Sequence, residues 1–356
     1  MTGRPLSLLD NIRISSGPET LRSYFSELIH TNRSTLPELL SDGHLRFGTL
    51  YLLKSEIKSN GIQDELPEVY KRALELSETL SGTKTADMAP VRRRNAQFGR
   101  RAGLRQPGRP HTDGKVQPIN ALLSDPSARQ ALGWIVRTGW DGDMPEGPYE
   151  QLMERCTALL LVCLKDRSVL PAVAETIFER HRQGKLIHNL VWAFFEARDR
   201  ESLYLLAQKL CSPDRRDAAL ARKLLGFIPG TDDDSADDHS MYFNVLGWLS
   251  VNMPYIHYTG ESMQMSPKPV PYAISYEAKY LCRQVSADSG KPDVPPGKSE
   301  AERLEHFRRL DESQKRLLAD ASCALFIQDR QRWESWIRLP IGRQLESAIQ
   351  MTGGSA

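Results

Sequence analysis

The chain has 356 residues, 40% of them hydrophobic and 26% charged, with a net charge of only +2. That is enough chain for one large core or two to three smaller ones without a disulfide or metal to hold it, and it is not the composition of a uniformly basic nucleic-acid coat. The charge is uneven: from Pro90 to Pro118 eight Lys/Arg stand against one acid, a local +7 that leaves −5 on the remainder.

The five cysteines (Cys156, Cys163, Cys211, Cys282 and Cys323) are odd in number and show no CxxC or Cys/His finger spacing, so a reduced, cytoplasmic setting is expected. The opening "MTGRPLSLLDNIRISSG" lacks the apolar core and cleavage site of a signal peptide. The longest apolar run, "ALLLVCL" at 158–164, falls far short of the roughly 20 residues of a membrane span. No membrane association is expected.

Residues 1–85 read as a helical N-terminal region. "GPETLRSYFSELIH" places Leu21, Phe25, Leu28 and Ile29 on one face, and "RFGTLYLLKSEIKS" and "LPEVYKRALELSETLSG" follow as two further helices. Residues 86–118 break the pattern. Gly, Pro, Gln and Arg dominate there, too few apolar groups to offset ordering entropy, so a flexible basic linker is expected. Its arginines, Arg92, Arg93, Arg94, Arg100, Arg101, Arg105 and Arg109, are candidate contacts for phosphate or for an acidic partner, because guanidinium groups suit both.

Helices return over 119–229. "PYEQLMERCTALLLVCLKD" puts Tyr149, Leu152, Met153, Cys156, Leu159, Leu160 and Cys163 on one stripe, which makes those cysteines core residues. "SVLPAVAETIFERHRQG" is amphipathic, and "KLIHNLVWAFFEARD" is apolar nearly all round and should be central. In "DRESLYLLAQKLCSPDRRDAALARKLLGFIPG" two helices are joined at Ser-Pro-Asp. This stretch resembles a HEAT repeat, with Pro213, Asp214, Arg216, Ala219 and Leu225 near the repeat's usual turn, charged and packing positions. The resemblance covers one clear unit near 199–229 and implies stacked helical pairs that present extended binding surfaces.

An acidic loop with five aspartates fills 230–240, followed by a C-terminal helical subdomain over 241–356. There "SMYFNVLGWLSVN" reads as a helix, 254–271 as a proline-rich loop, "ISYEAKYLCRQVS" as a helix, and the remainder as three short helices ending near Ile349. Six of the eleven tyrosines fall between Tyr242 and Tyr280. Tyr272, Tyr276 and Tyr280 recur every four residues, with Lys279 and Arg283 beside them, opposite a stripe of Ile274, Ala278, Leu281 and Val285. That tyrosine face is either packed under its own loop or a partner surface, since Tyr and Arg are the residues enriched at binding hot spots. No strand is expected anywhere.

Motifs for chemistry are weak. Gly297-Lys298-Ser299 imitates a phosphate loop, but Pro292 stands where its first glycine belongs, and Pro295 and Pro296 remove the N–H groups that would cradle phosphate. Ser55 and Lys58 make a lone S-x-x-K. His181 and His188 are separated by the helix-breaking Gly184, and the aspartates of 232–238 lack the glycine and closing glutamate of a calcium loop. No catalytic, cofactor or metal residues are assigned. The expected fold is all-α: an irregular HEAT-like helical-repeat array with a helical N-terminal part and a C-terminal helical subdomain. The expected function is a non-enzymatic scaffold or adaptor that binds other protein subunits through helical faces and the Arg-rich segment. The alternatives are a nucleic-acid-associated protein that clamps DNA or RNA phosphates with that segment and, third, an enzyme with a non-local site.

Overall fold

The computed structural model describes residues 5–81, 124–140, 144, 147–231, 237–261 and 269–353. These form eighteen α-helices and one two-stranded hairpin, so the chain is mostly α-helical. They group into two compact units, 1–197 and 198–356. The division falls inside the 119–229 stretch read from sequence as one array. The helices of 1–85 accordingly share a unit with those up to Ala197. The seven arginines of 92–109 lie outside the described residues.

In the first unit α1 (Leu8–Ser16) begins at Ser7, whose hydroxyl accepts from the Asp10 N–H at 3.0 Å and donates to the Asp10 carboxylate at 2.6 Å. Asp10 is fully buried and could not remain there unpaired. Its carboxylate also accepts from Thr49 Oγ1 and from the Arg46 N–H at 3.1 Å, and Arg13 Nε donates to Thr49 Oγ1 at 2.9 Å. This polar knot ties α1 to α4 (Phe47–Leu52). Between them lie α2 (Pro18–Thr31), with Leu21 and Phe25 buried as the periodicity predicts, and the short α3 (Leu36–Leu40). The helix expected over "RFGTLYLLKSEIKS" is broken at Leu53 into α4 and α5 (Lys54–Ser59).

The long α6 (Glu68–Ser81) packs along α7 (Pro126–Thr138), burying Ala73, Leu76 and Leu80 on one side and Ala131, Leu132 and Ile135 on the other. Asp125 caps α7 by accepting from the Ser127 N–H at 2.9 Å and is held by Arg72 at 2.8 Å. The helix α8 (Pro148–Ala158) runs into a π turn over Leu159–Cys163. Four consecutive residues of that turn, Leu159 to Val162, are all buried. Cys156 is buried as expected, its thiol pushed up to about 12 by burial, while Cys163 is half-buried. Helices α9 (Leu170–Arg182) and α10 (His188–Glu196) follow, and α10 buries Leu190, Val191, Ala193, Phe194 and Phe195, in keeping with its all-round apolar sequence.

The second unit opens with the pair at 199–229. A 3-10 turn leads into α11 (Leu203–Ala207), and Asp214 caps α12 (Arg215–Leu224) by accepting from the Arg216 N–H at 2.9 Å. Leu203, Leu206, Ala207 and Leu210 face Ala218, Leu220, Ala221 and Leu224. Ala219, placed at a packing position by the resemblance, is exposed. Asp237 caps α13 (Asp238–Asn252), and Asp238 pairs with Arg222 at 2.6 Å, so two of the acidic-loop aspartates have local partners.

Three expectations for the C-terminal part are corrected. Strands β1 (Ile256–Tyr258) and β2 (Tyr272–Ile274) pair antiparallel, with Ile256 opposite Ile274 and Tyr258 opposite Tyr272. The helix read over 274–286 shrinks to α14 (Tyr276–Tyr280). It stops because Cys282 takes a left-handed conformation, φ 52°, and the Arg283 N–H turns back to the Ala278 carbonyl at 2.9 Å. The strands are three residues long, too short for alternation to announce them. At Gly290, φ 66°, a side chain would sit 2.7 Å from the His257 ring, so glycine is required where the following loop crosses the hairpin. The remainder is four helices rather than three: α15 (Lys298–Arg308), α16 (Glu312–Gln328), α17 (Arg330–Trp336) and α18 (Ile341–Gly353).

Replacing Asp214 removes the cap that orients the α11–α12 pair. Asp214→Ala should cost about 1 kcal/mol, read as a lowered urea midpoint with unchanged m-value.

Candidate functional site

The five residues of the proposed tyrosine face do not form an open surface. Tyr272 lies on β2, not on the helix that carries Tyr276 and Tyr280, so the four-residue spacing does not describe one face. Tyr272, Lys279 and Tyr280 are buried. Tyr280 stacks on Phe307 at 4.5 Å and donates to Gln344 Oε1 at 2.8 Å, at the centre of the core shared by α15, α16, α17 and α18. Arg283 is committed internally. It holds both Glu300 carboxylate oxygens at 2.8 and 2.9 Å and reaches the Val294 and Pro295 carbonyls at 3.1 and 3.3 Å, which anchors the proline loop before α15. The Glu300 carboxylate in turn accepts from the Gly297 N–H at 2.7 Å. Gly297-Lys298-Ser299 is therefore a helix start, not a phosphate cradle.

Two of the five do reach a cavity. A pocket of about 240 Å³ in the second unit has Phe227, Trp248, Tyr272 and Tyr276 as its aromatic walls, with Asn252, Arg316 and Asp320 as its polar groups. Phe227 meets Trp248 at 6.4 Å and Tyr272 at 6.2 Å. Lys279 shapes this pocket from behind. Its ammonium, 2% exposed, donates to Asn252 Oδ1 at 2.6 Å and pairs with Asp320 at 2.5 Å. Both acceptors thereby hold fixed positions on the pocket lining. Burial raises the Tyr276 hydroxyl above its ordinary range, keeping it a neutral donor at physiological pH.

The wall residues come from four separate stretches, so a local motif could not reveal them. The helix α13 mixes apolar and polar residues around its circumference, with no single stripe to mark its pocket side. Met241, Val245 and Leu249 face the core, and Trp248 and Asn252 edge into the pocket. Phe243 and Val251, on the opposite side, are 66% and 44% exposed.

The pocket's chemistry suits the burial of an apolar or ring-bearing side chain, oriented by Arg316 and Asp320. Elsewhere in the unit Cys211 Sγ lies 3.6 Å from His239 Nδ1. Burial and the nearby Asp238 and Asp237 carboxylates push that thiol upward, away from the thiolate that nucleophilic attack requires. Among the described residues no cluster of three His, Cys, Asp or Glu could hold a metal, and no helix is long and apolar enough to cross a membrane.

Two measurements probe the Lys279 arrangement. Asp320→Ala leaves a buried ammonium with only Asn252, and should destabilise by about 3 kcal/mol, whereas Lys279→Met should cost far less because the apolar chain needs no partner; paired urea titrations separate them. For Glu300, burial works upward, but the Gly297 N–H and Arg283 outweigh it, so the carboxyl titrates below its usual range. Its contribution is therefore fully present above the unfolded value of about 4.3 and is lost as pH falls from there through the folded value. Glu300→Gln should flatten the acid limb of a stability–pH profile. Set against known protein families, curated proteins and solved structures, the chain matches none of them.

Proposed function

We propose that the chain is a non-enzymatic scaffold or adaptor that docks a protein subunit through the second unit. The observation that carries this reading is α13, whose outer face exposes the large apolar side chains of Phe243 and Val251. A partner laid on that face would cover Phe243 and Val251, and could send a ring or apolar side chain into the neighbouring pocket, to which Trp248 of the same helix contributes. The 199–229 pair, with its Asp214-capped turn, supports a HEAT-like, stacked-pair architecture for this region. Five free thiols fit a reducing, cytoplasmic setting.

The arginines of 92–109 favour a second reading, in which they clamp DNA or RNA phosphates. One experiment addresses both. The intact chain, Phe243→Asp/Val251→Asp and a deletion of 91–115 are each carried through native co-purification and a salt-dependent binding titration with generic DNA. The adaptor reading expects a stoichiometric protein partner, lost in the double variant, whose two exposed sites leave stability within about 0.5 kcal/mol of the parent. A strictly monomeric chain, or a partner retained by the double variant, would overturn it. DNA binding that is steeply salt-dependent and lost only on the deletion would instead establish the second reading.

A further inference from the structure

The first unit carries a groove that the adaptor reading does not use. Two cavities, of about 410 and 390 Å³, both have Gly43 and Arg137 in their walls. The first is completed by His44, Arg46, Thr138 and Trp140, and the second by Tyr70, Gln130 and Trp134. Arg137 thus stands where the two meet.

Three observations indicate what such a groove would hold. The first concerns charge. Among the described residues, neither cavity has a carboxylate in its lining, whereas Arg137 and Arg46 both contribute. Arg137 is exposed and makes no hydrogen bond or ion pair with any described residue, so its guanidinium is available to a ligand. The second concerns placement. The guanidinium is folded back over Gly133, one turn earlier on α7, where a Cβ would stand 2.8 Å from Nη2. A glycine inside a helix costs up to about 1 kcal/mol relative to alanine, and here its missing side chain is the space the guanidinium occupies. The third concerns rings. Tyr70 and Trp134, 4.5 Å apart and inclined by 31°, pack against each other in the wall of the second cavity. Trp140 lines the first cavity, and the Arg180 guanidinium lies over its ring, 5.0 Å from the centroid.

A planar, doubly donating cation that lines the same cavities as aromatic rings matches a phosphate next to a planar ring. Each cavity is also of the size that takes a ligand of about nucleotide dimensions. The geometry points to a nucleotide-binding groove, with the phosphate on Arg137 and a base against Trp134 or Trp140. The same chemistry is offered by a free nucleotide and by a single-stranded nucleic acid, and two adjoining cavities could take neighbouring nucleotides of one strand.

The test uses the intact chain, with calorimetry and quenching of tryptophan fluorescence at low salt. The probes are a nucleoside monophosphate, a short oligodeoxythymidylate, inorganic phosphate and succinate. Saturable binding of the monophosphate assigns the source as a free nucleotide, and binding of the oligomer alone assigns it as a nucleic-acid strand. Either should weaken at least about tenfold in Arg137→Gln, which loses a charge-assisted bidentate contact. Gly133→Ala keeps the charge but evicts the guanidinium from its resting place, so affinity should fall about three- to tenfold while Tm holds or rises. The arginines of 92–109 are untouched in both variants and cannot account for the difference. Absence of binding by both nucleotide probes, affinity unchanged in Arg137→Gln, or phosphate or succinate binding as tightly as the nucleotide would overturn the proposal. Unchanged affinity in Gly133→Ala would overturn the pre-set position of the guanidinium.

Discussion

The ammonium of Lys279 sits where water cannot neutralise it, so side chains from distant parts of the chain must do so. Asn252 closes α13 and Asp320 lies in the middle of α16, and both converge on the five-residue α14 that carries the lysine. An isolated helix of that length has no stability of its own. It persists because the Lys279 charge and the adjoining Tyr280 ring are each satisfied by a different layer. Ser322 reinforces this from α16, donating to the Tyr280 carbonyl at 2.6 Å while accepting from Trp333 Nε1 at 2.8 Å. The pocket is a by-product of the same constraint, because two of its three polar wall residues, Asn252 and Asp320, are the lysine's partners.

The sequence disclosed the fold unevenly, for physical reasons. Long amphipathic or uniformly apolar segments such as α2, α6 and α10 declare themselves, since burial needs a periodic stripe or none at all. What escaped was set by single residues. The left-handed backbone at Cys282 ends α14 where periodicity would have carried it on to Val285. The π turn at Leu159–Cys163 lies inside a stripe that looked continuously α-helical. The hairpin is fixed by pairing across more than a dozen residues, a contact that no local window contains.

The candidate sites follow the same rule. Tyr272 and Tyr276 were singled out for their spacing and do meet at one pocket, but through a strand and a helix rather than one helical face. Of the two alternatives open for Tyr280 and Lys279, the structure has the packed one, since a tyrosine can be core when its hydroxyl finds an acceptor, and Gln344, sixty-four residues away, supplies it. The groove around Arg137 was invisible in sequence for the opposite reason. An arginine one turn after a glycine is ordinary until the structure shows which carboxylates it does not meet.

The cysteines gain a meaning they lacked as a simple count. Cys156 belongs to the first unit and Cys282 to the second, and burial holds both thiols at about 12. Only the thiolate reacts with alkylating reagents, so in the closed protein both are inert at neutral pH, whereas an exposed thiol returns to about 8.5. Each unit therefore contains a native chronometer. The rate at which each thiol becomes modifiable reports the opening of its own unit, and comparing the two tells whether the units come apart together or one before the other.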